Sequence, residues 1–257
     1  MLSKNKIKLI QSLDQKKFRT EHKLFIVEGE KICNDLIASQ FEAAKGLFEI
    51  AEIYYTLAWK QNHLEDLEDL NVSSEEITES ELQKISLLKS PNGVLALVRI
   101  PEEEIPRYDD DLVLVLDGVR DPGNLGTILR TADWFGVSKL ICSLDCVDIF
   151  NHKVVQATMG SIFRVNVFYY DLGTEISKIR KYHPLKPVYG ATLEGENVYE
   201  MALPQDAILV VGSEANGISK KTKELLTKEI KIPRFGSVES LNVGSATAVL
   251  CSEFKRQ

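Results

Sequence analysis

Two continuous apolar runs constrain the fold of this chain more than any other feature. The first run is Leu112–Leu116, and the second is Ala207–Val211. Unbroken apolar runs of this length are typical of strands that are buried on both faces of a sheet. Each run leads into a polar segment that contains glycine, starting at Asp117 and at Gly212. We therefore predict an open α/β sheet with a ligand pocket at its strand ends.

The pattern of strands and helices around these runs predicts the fold class. Further strands are predicted at 139–142, 163–168, 187–191 and 230–232, and helices at 128–135, 151–158 and 175–182, with a last helix of small residues after 242. Strand and helix alternate throughout this part of the chain. Such alternation predicts a mostly parallel sheet.

The chain before these runs predicts a second, smaller α/β domain. We predict helices at 3–17, 31–39, 62–70, 72–77 and 78–82, strands at 24–27 and 94–98, and one further strand within 46–55. The segment Pro101–Pro106 contains two prolines and three adjacent glutamates, which favour an extended, solvated linker. The predicted division is therefore a first domain at 1–100, a linker at 101–110 and a second domain at 111–257.

Composition excludes several classes of protein. The apolar fraction of 44% and the charged fraction of 27% are typical of soluble globular chains. No apolar run approaches the roughly 18 to 20 residues that span a bilayer, and no secretory signal is visible, so we expect a cytoplasmic protein without membrane segments. The four cysteines form no C-x-x-C pair, which favours buried thiols and no metal site.

The charge of the chain is unevenly distributed. The net charge is −7, yet residues 1–23 carry seven lysines and arginines against two acidic residues. A basic arm on an acidic body suits a nucleic-acid partner held at one place. A solvated first helix explains the same charges equally well.

The segment after the first apolar run holds two candidate functional residues. Asn124 lies in a tight turn between a strand and a helix, and Arg130 follows six residues later. An amide and a guanidinium at the carboxyl end of a sheet suit an anionic or polyhydroxylated substrate. The alternatives are a helix cap at Asn124 and a surface ion pair for Arg130. The glycines here give only G-x-x-G, which disfavours a nicotinamide cofactor.

Three further polar segments follow, and each has a structural alternative. Gly212-Ser213-Glu214 and Pro233-Arg234-Phe235-Gly236 are compatible with ordinary turns, and Ser240 or Asn242 with a cap of the last helix. Taken together, several polar loops follow apolar strands within one domain, and simple chain reversal does not require so many polar residues. The combination favours a functional site.

The order of these segments resembles the three motifs of the SpoU (TrmH) family of RNA ribose 2′-O-methyltransferases. The residues that carry the resemblance are Asp121–Gly126 with Arg130, Val211–Ile218, Ile232-Pro233 and Ser240–Val243. Residues 25–29 and 90–96 more loosely resemble the L30e-like substrate-binding domain often found in the family. Two positions depart from the pattern, since many members have Met at Arg234 and Ser or Ala at Gly244.

The resemblance implies a fold, a cofactor and a set of site residues. The second domain would have the SPOUT fold with a deep trefoil knot, and the protein would be a homodimer that binds S-adenosyl-L-methionine. Backbone contacts to the cofactor would come from Gly212, Ile232 and Leu241, with Thr192 close by. The reacting ribose would be surrounded by the catalytic residues Asn124, Arg130, Glu214, Ser240 and Asn242, without a metal.

The resemblance also implies a partner. The basic arm and the first domain would bind RNA, with ribosomal RNA favoured over transfer RNA and no DNA expected. Two other hypotheses remain open at the level of sequence. One is a non-catalytic RNA-binding or ribosome-assembly factor that retains the fold, and the other is a small-molecule enzyme of the flavodoxin-like kind.

Overall fold

The computed structural model describes residues 1–41, 48–63, 70, 72–102, 105–108 and 112–256. The chain divides into two compact units. The first unit contains Met1–Glu104 and Asp148–Phe163, and the second contains Ile105–Val147 and Arg164–Gln257. No helix among the described residues is long and apolar enough to cross a lipid bilayer.

The first unit is built around a four-stranded sheet. Its elements before residue 105 are α1 (Lys4–Ser12), α2 (Lys16–His22), β1 (Leu24–Glu28), α3 (Glu30–Gln40), β2 (Ile50–Tyr55), α4 (Leu57–Lys60), β3 (Ser73–Glu76), α5 (Glu79–Ile85) and β4 (Val94–Arg99). The strand order is β1-β4-β2-β3. Strand β4 is antiparallel to both of its neighbours, whereas β3 is parallel to β2.

The second unit is built around a six-stranded sheet. The elements after residue 112 are β5 (Val113–Asp117), α6 (Pro122–Trp134), β6 (Lys139–Ser143), α7 (His152–Thr158), β7 (Asn166–Tyr170), α8 (Leu172–Tyr182), β8 (Val188–Asn197), β9 (Ile208–Gly212), α9 (Lys220–Lys223), β10 (Lys228–Lys231) and α10 (Val243–Lys255). The strand order is β10-β8-β9-β5-β6-β7, and each adjacent pair is parallel. This confirms the predicted α/β class and its mostly parallel sheet.

The two apolar runs form the centre of this sheet. Strands β5 and β9 are neighbours, with Val113 paired to Ile208 and Asp117 to Gly212. Their apolar residues are almost fully buried. Because parallel strands end at the same edge, the polar segments after β5 and β9 meet at the carboxyl edge of the sheet. The fold thereby brings together the first two candidate loops.

Residues 148–163 pack with the first unit, whereas the sequence assigned them to the second domain. Arg19 is only 3% exposed, and its Nη2 atom lies 2.6 Å from Asp148 Oδ2. The ring of Phe150 lies 4.8 Å from that of Phe25 in β1. The chain thus leaves the second unit after Val147 and returns at Arg164, because this segment buries its aromatic and apolar side chains against residues of the first unit.

Three predicted elements differ from the observed ones. The helix predicted at 3–17 is two helices, α1 and α2, with a turn between them. Residues 73–76, predicted within a helix, form the exposed edge strand β3, whose backbone pairs with β2. The strand predicted at 163–168 begins at Asn166, after a 3₁₀ turn at Ser161–Phe163. Two predictions lie partly outside the described residues. They are the helix at 62–70, of which most is not described, and the linker, of which residues 103, 104, 109 and 110 are not described.

Candidate active site

The turn after β5 leaves the side chain of Asn124 free for a role other than capping. The N-cap of α6 is Asp121, whose Oδ1 accepts a hydrogen bond from the Asn124 backbone N–H at 2.8 Å. Pro122 occupies the first helical turn, where its missing N–H costs nothing. The alternative of a cap at Asn124 is therefore wrong.

Three predicted site residues from three separate segments of the chain form one hydrogen-bonded group, here termed the trio. Asn124 Nδ2 donates to Glu214 Oε1 at 2.6 Å, and Asn242 Nδ2 donates to the same oxygen at 3.0 Å. Asn242 Nδ2 also donates to Asn124 Oδ1 at 2.8 Å. The carboxylate thus receives two amide donors, and the orientation of both amides is fixed by their partners.

Asn242 has a second role as the N-cap of α10. Its Oδ1 accepts from the backbone N–H groups of Gly244 at 3.0 Å and Ser245 at 3.3 Å. The capping alternative is therefore correct for Asn242, but its side chain also makes the hydrogen bonds of the trio. Because Oδ1 is bonded to the helix end, Nδ2 points to Asn124 and Glu214. The start of α10 therefore fixes the position of Asn242 in the trio.

The loop that carries Glu214 closes tightly on itself. A Cβ atom at Gly212 would lie 2.0 Å from the backbone carbon of Gly217, so only glycine fits at this position. Gly217 has φ +62°, a left-handed conformation that also favours glycine. Glu214 Oε2 accepts no hydrogen bond from the residues that the structure describes. One carboxylate oxygen is therefore fixed and the other is available.

Arg130 and Ser240 are not joined to the trio. Both side chains are exposed, and neither has a hydrogen bond or an ion pair within the described ranges. The alternative of a surface ion pair for Arg130 is thus not observed. Arg130 lies on α6 six residues after Asn124, which corresponds to a rise of about 9 Å along the helix axis. Within the described ranges, its guanidinium keeps all of its hydrogen-bond donors available.

Three of the predicted cofactor residues lie in or directly after β8, β9 and β10, which are consecutive in the sheet. The pairing of β8 with β10 jumps from Gly190–Glu229 to Glu196–Ile230, so residues 191–195 bulge outward. Thr192 lies in this bulge, and its Oγ1 accepts from the Gly195 N–H at 3.1 Å. Ile232 follows the end of β10, and Gly212 ends β9.

The segment between β10 and α10 exposes apolar side chains. Phe235 is 92% exposed, and Val238 and Leu241 are also exposed. Exposed apolar groups so close together in sequence are typical of a binding surface. Leu241 thus lies in a loop that presents apolar surface next to the trio residue Asn242.

A second fixed group at the carboxyl edge carries no signal in the sequence. Ser143 Oγ, at the end of β6, accepts from the Gly118 N–H at 2.9 Å and donates to Asp145 Oδ1 at 2.6 Å. Asp145 Oδ2 in turn lies 2.6 Å from Arg120 Nη2. The hydrogen bonds from Ser143 and Arg120 hold the pKa of Asp145 below its usual range. No motif marks these residues, so only the three-dimensional structure reveals the group.

The thiol of Cys146 is hydrogen-bonded to the segment that follows β5. Cys146 Sγ accepts from the Val119 N–H at 3.2 Å and lies 3.3 Å from Ser143 Oγ. Hydrogen bonding from Cys142, together with that from Ser143 and Val119, lowers the pKa of Cys146 to about 7 against the opposing effect of burial. The backbone that leads from β5 into the Asn124 turn is therefore anchored at two successive N–H groups.

Comparison with known proteins identifies the family. Residues 111–252 match the SpoU rRNA Methylase family, and residues 4–96 match the MRM3-like substrate binding domain. The chain is 29% identical to the 23S rRNA (guanosine(2553)-2′-O)-methyltransferase RlmP of Bacillus subtilis, over 95% of this chain and 94% of that protein.

Solved structures agree with this assignment. An RNA methyltransferase of the TrmH family from Porphyromonas gingivalis is 38% identical with a TM-score of 0.87, covering 100% of this chain and 99% of that one. An rRNA methyltransferase from Sinorhizobium meliloti, solved with AdoMet bound, is 26% identical with a TM-score of 0.82, covering 100% and 96%. The chain therefore belongs to the SpoU rRNA methylase family.

Proposed function

We propose that this protein transfers a methyl group from S-adenosyl-L-methionine to a ribose 2′-hydroxyl of RNA, with ribosomal RNA as the substrate. The observation that carries the proposal is the trio at the carboxyl edge of the sheet. Two amides and a carboxylate, contributed by three separate segments of the chain, are held in one geometry in a chain of this family. The names of the relatives favour ribosomal RNA over transfer RNA.

The residues proposed to hold the cofactor fit its chemistry. The cofactor combines an apolar adenine with a charged amino-acid end, and it supplies an activated methyl group on a sulfonium. Exposed Leu241, Val238 and Phe235 offer apolar surface, and the strand ends at Gly212 and Ile232 offer backbone polar groups. Thr192 lies in the bulge of β8, opposite the middle of β10. These residues form the proposed cofactor site.

The trio orients the ribose. A ribose hydroxyl is a poor nucleophile at neutral pH, so the reacting oxygen must be aligned with the methyl group. Correct alignment contributes about 7 to 11 kcal/mol to catalysis in favourable cases. Glu214 fixes the amides of Asn124 and Asn242, and its available Oε2 is suited to accept a hydrogen bond from a ribose hydroxyl. Ser240, two residues before Asn242, supplies a further hydroxyl.

Arg130 stabilises the developing negative charge on the 2′-oxygen. Its guanidinium is exposed and has no partner among the described residues, so its N–H donors are available to a substrate. A guanidinium with a pKa above about 12 does not readily act as a base. Donation to the oxygen instead lowers the pKa of the hydroxyl, and a donor held against the oxygen by the bound substrate contributes about 3 to 4 kcal/mol. The proton passes to water or to a phosphate of the RNA.

The first unit binds the RNA. Its basic segment at residues 1–23 and its match to a substrate-binding domain support this role. Ribosomal RNA as substrate would place the enzyme in the cytoplasm. A deletion of residues 1–100 is a poor test, because it would also uncover the apolar side chains of residues 148–163. Charge reversal at Lys16 and Lys17 in the full-length chain is the better test, and we expect weaker RNA binding with unchanged cofactor binding.

We also propose that the second unit carries a trefoil knot and the interface of a homodimer. Trp134, which is 85% exposed, is an apolar side chain suited to burial against a second copy of the chain. Helices α6 and α10 approach closely, since a Cβ at Gly244 would lie 2.8 Å from Thr127 Cγ2.

The function is tested by transfer of labelled methyl groups from S-adenosyl-L-methionine to total RNA from a strain that lacks this protein. We expect label only in large ribosomal RNA, and only with an active enzyme. Label in the transfer RNA fraction would contradict the substrate assignment. If the cofactor binds but neither free RNA nor precursor ribosomal particles are labelled, the protein is a non-catalytic assembly factor.

A further inference from the structure

The exposed side chain of Arg120 is held by the half-exposed carboxylate of Asp145, which a buried serine fixes in turn. Arg120 is 71% exposed, and its Nη2 lies 2.6 Å from Asp145 Oδ2. The other carboxylate oxygen of Asp145 accepts from Ser143 Oγ at 2.6 Å, and Ser143 is only 8% exposed. Ser143 is itself fixed by the Gly118 N–H at 2.9 Å. A chain of three hydrogen bonds therefore connects the backbone of Gly118, through buried Ser143, to an exposed guanidinium.

This guanidinium is anchored at the edge of the sheet that carries the trio. A Cβ at Gly118 would lie 3.6 Å from Asp145 Oδ2 and 3.8 Å from Ser213 Cβ, so the anchor lies next to the residue that precedes Glu214. Arg120 itself immediately precedes Asp121, the N-cap that positions the Asn124 turn. Arg120 is thus close to the trio in two ways. Its backbone adjoins the turn that carries Asn124, and its anchor lies beside the loop that carries Glu214.

An ordinary surface ion pair does not explain this arrangement. Exposed ion pairs contribute little to stability, yet in this pair the hydroxyl of buried Ser143 fixes the carboxylate. Asp145 engages one N–H of Nη2, and a guanidinium has five donors in a planar fork. The remaining donors face solvent with a geometry that matches a phosphate group.

We propose that Arg120 binds a phosphate group of the RNA substrate beside the target ribose, and that Asp145 is the residue that positions it. The proposal rests on the proposed function, because it assumes an RNA substrate at the trio. It assigns Arg120 to substrate binding and leaves activation of the hydroxyl to Arg130.

The first test compares Arg120→Ala with Arg164→Ala in the full-length protein. Arg164 is also an exposed arginine paired with a carboxylate, Asp133, but the pair joins the last turn of α6 to the segment before β7, at the amino edge of the sheet. With in vitro transcribed large-subunit ribosomal RNA, Arg120→Ala should raise KM about tenfold and leave kcat within about twofold. Arg164→Ala should match the wild type.

Salt dependence gives a readout that does not require turnover. Loss of one phosphate contact should lower the slope of log binding constant against log salt by about 0.7 to 0.9. Arg120→Lys should restore this slope but only part of the affinity, because an ammonium lacks the planar fork. The Kd of S-adenosyl-L-methionine should be the same in all variants.

Asp145→Asn distinguishes positioning from simple electrostatics. Removal of a negative charge alone would strengthen RNA binding, whereas loss of the anchor should weaken it about threefold. In an Arg120→Ala background, Asp145→Asn should have no further weakening effect, since the two residues act through one contact. Stronger RNA binding by Asp145→Asn would overturn the positioning role.

The proposal is wrong if Arg120→Ala and Arg164→Ala have equal KM values and equal salt slopes. It is also wrong if Arg120→Ala weakens cofactor binding as much as RNA binding, since the guanidinium would then belong to the cofactor site. Failure of the proposed function is a different result, in which the wild type transfers no methyl group. The salt slopes of binding decide the role of Arg120 even in that case.

Discussion

The trio and Arg130 are both predicted to be catalytic, yet their environments are opposite. Asn124, Glu214 and Asn242 satisfy one another through hydrogen bonds of 2.6 to 3.0 Å. Arg130 is exposed and has no partner within the described ranges. The fixed residues define a geometry before substrate arrives, whereas the free guanidinium is available to interact with the substrate. Orientation and charge stabilisation are therefore assigned to different parts of the site.

The contrast is tested most strongly by Arg130→Ala. We expect methyl transfer to fall by about 10²- to 10³-fold, because a donor to the developing oxyanion is lost. The Kd of S-adenosyl-L-methionine should change by less than about twofold, since no cofactor contact is proposed for this side chain. Single-turnover transfer and calorimetric titration on the same samples measure both quantities. If transfer and cofactor binding fall together, Arg130 belongs to the fixed part of the site.

Glu214→Ala should have the next largest effect. It removes the acceptor shared by Asn124 and Asn242, and loss of alignment should lower kcat about 10²-fold. Because the residues act as a unit, the double variant with Asn124→Ala should cost little more than the single variant. Additive losses in a double-mutant cycle of kcat would show that the trio does not act as one group.

Gly212→Ala should disturb the trio through the backbone. The added Cβ would overlap the backbone of Gly217, so the Glu214 loop must shift. We expect a loss of about 1 to 3 kcal/mol in unfolding free energy, together with a lower kcat. Gly236→Ala is the matched control, since a Cβ there meets no atom within 4 Å. If Gly212→Ala matches Gly236→Ala in both its unfolding free energy and its kcat, the Glu214 loop is not tightly constrained.

Two substitutions of Asn242, with the smallest expected effects on stability, separate its role as a helix cap from its role in the trio. Asn242→Asp keeps a good N-cap for α10 but places a second carboxylate against Glu214. We expect stability within about 0.5 kcal/mol of the wild type and a strongly reduced kcat. Asn242→Ala should lose about 1 kcal/mol of unfolding free energy, because the cap is absent. Full activity in Asn242→Asp would reduce this residue to a helix cap.

Sequence patterns predicted the elements whose signals are local. The apolar runs at 112–116 and 207–211 are β5 and β9, and the predicted helix start at Thr78 is a capping box with Glu81. The cap at Asn242 was likewise visible in the residue type. Strand β3 was not predictable from the residue types, because its residues are all exposed and only its backbone pairs with β2.

Features that depend on distant contacts escaped prediction. Residues 148–163 follow strand β6 in sequence, yet Asp148 pairs with Arg19 of the first unit, and no local pattern encodes this. The anchor from Gly118 through Ser143 to Asp145 depends on two strand ends that only the sheet brings together. Resemblance supplied the identity of the site residues, but it did not distinguish the fixed residues from the free ones.

That these residues act on a ribose 2′-hydroxyl is tested most directly by the chemical position of the methyl group. Large-subunit ribosomal RNA labelled by the wild-type protein is hydrolysed in alkali, and the products are separated by charge. A 2′-O-methylated ribose cannot assist cleavage, so the label should be found in alkali-resistant dinucleotides. Label in mononucleotides would indicate a methylated base and would contradict the assignment of the trio and Arg130 to the ribose.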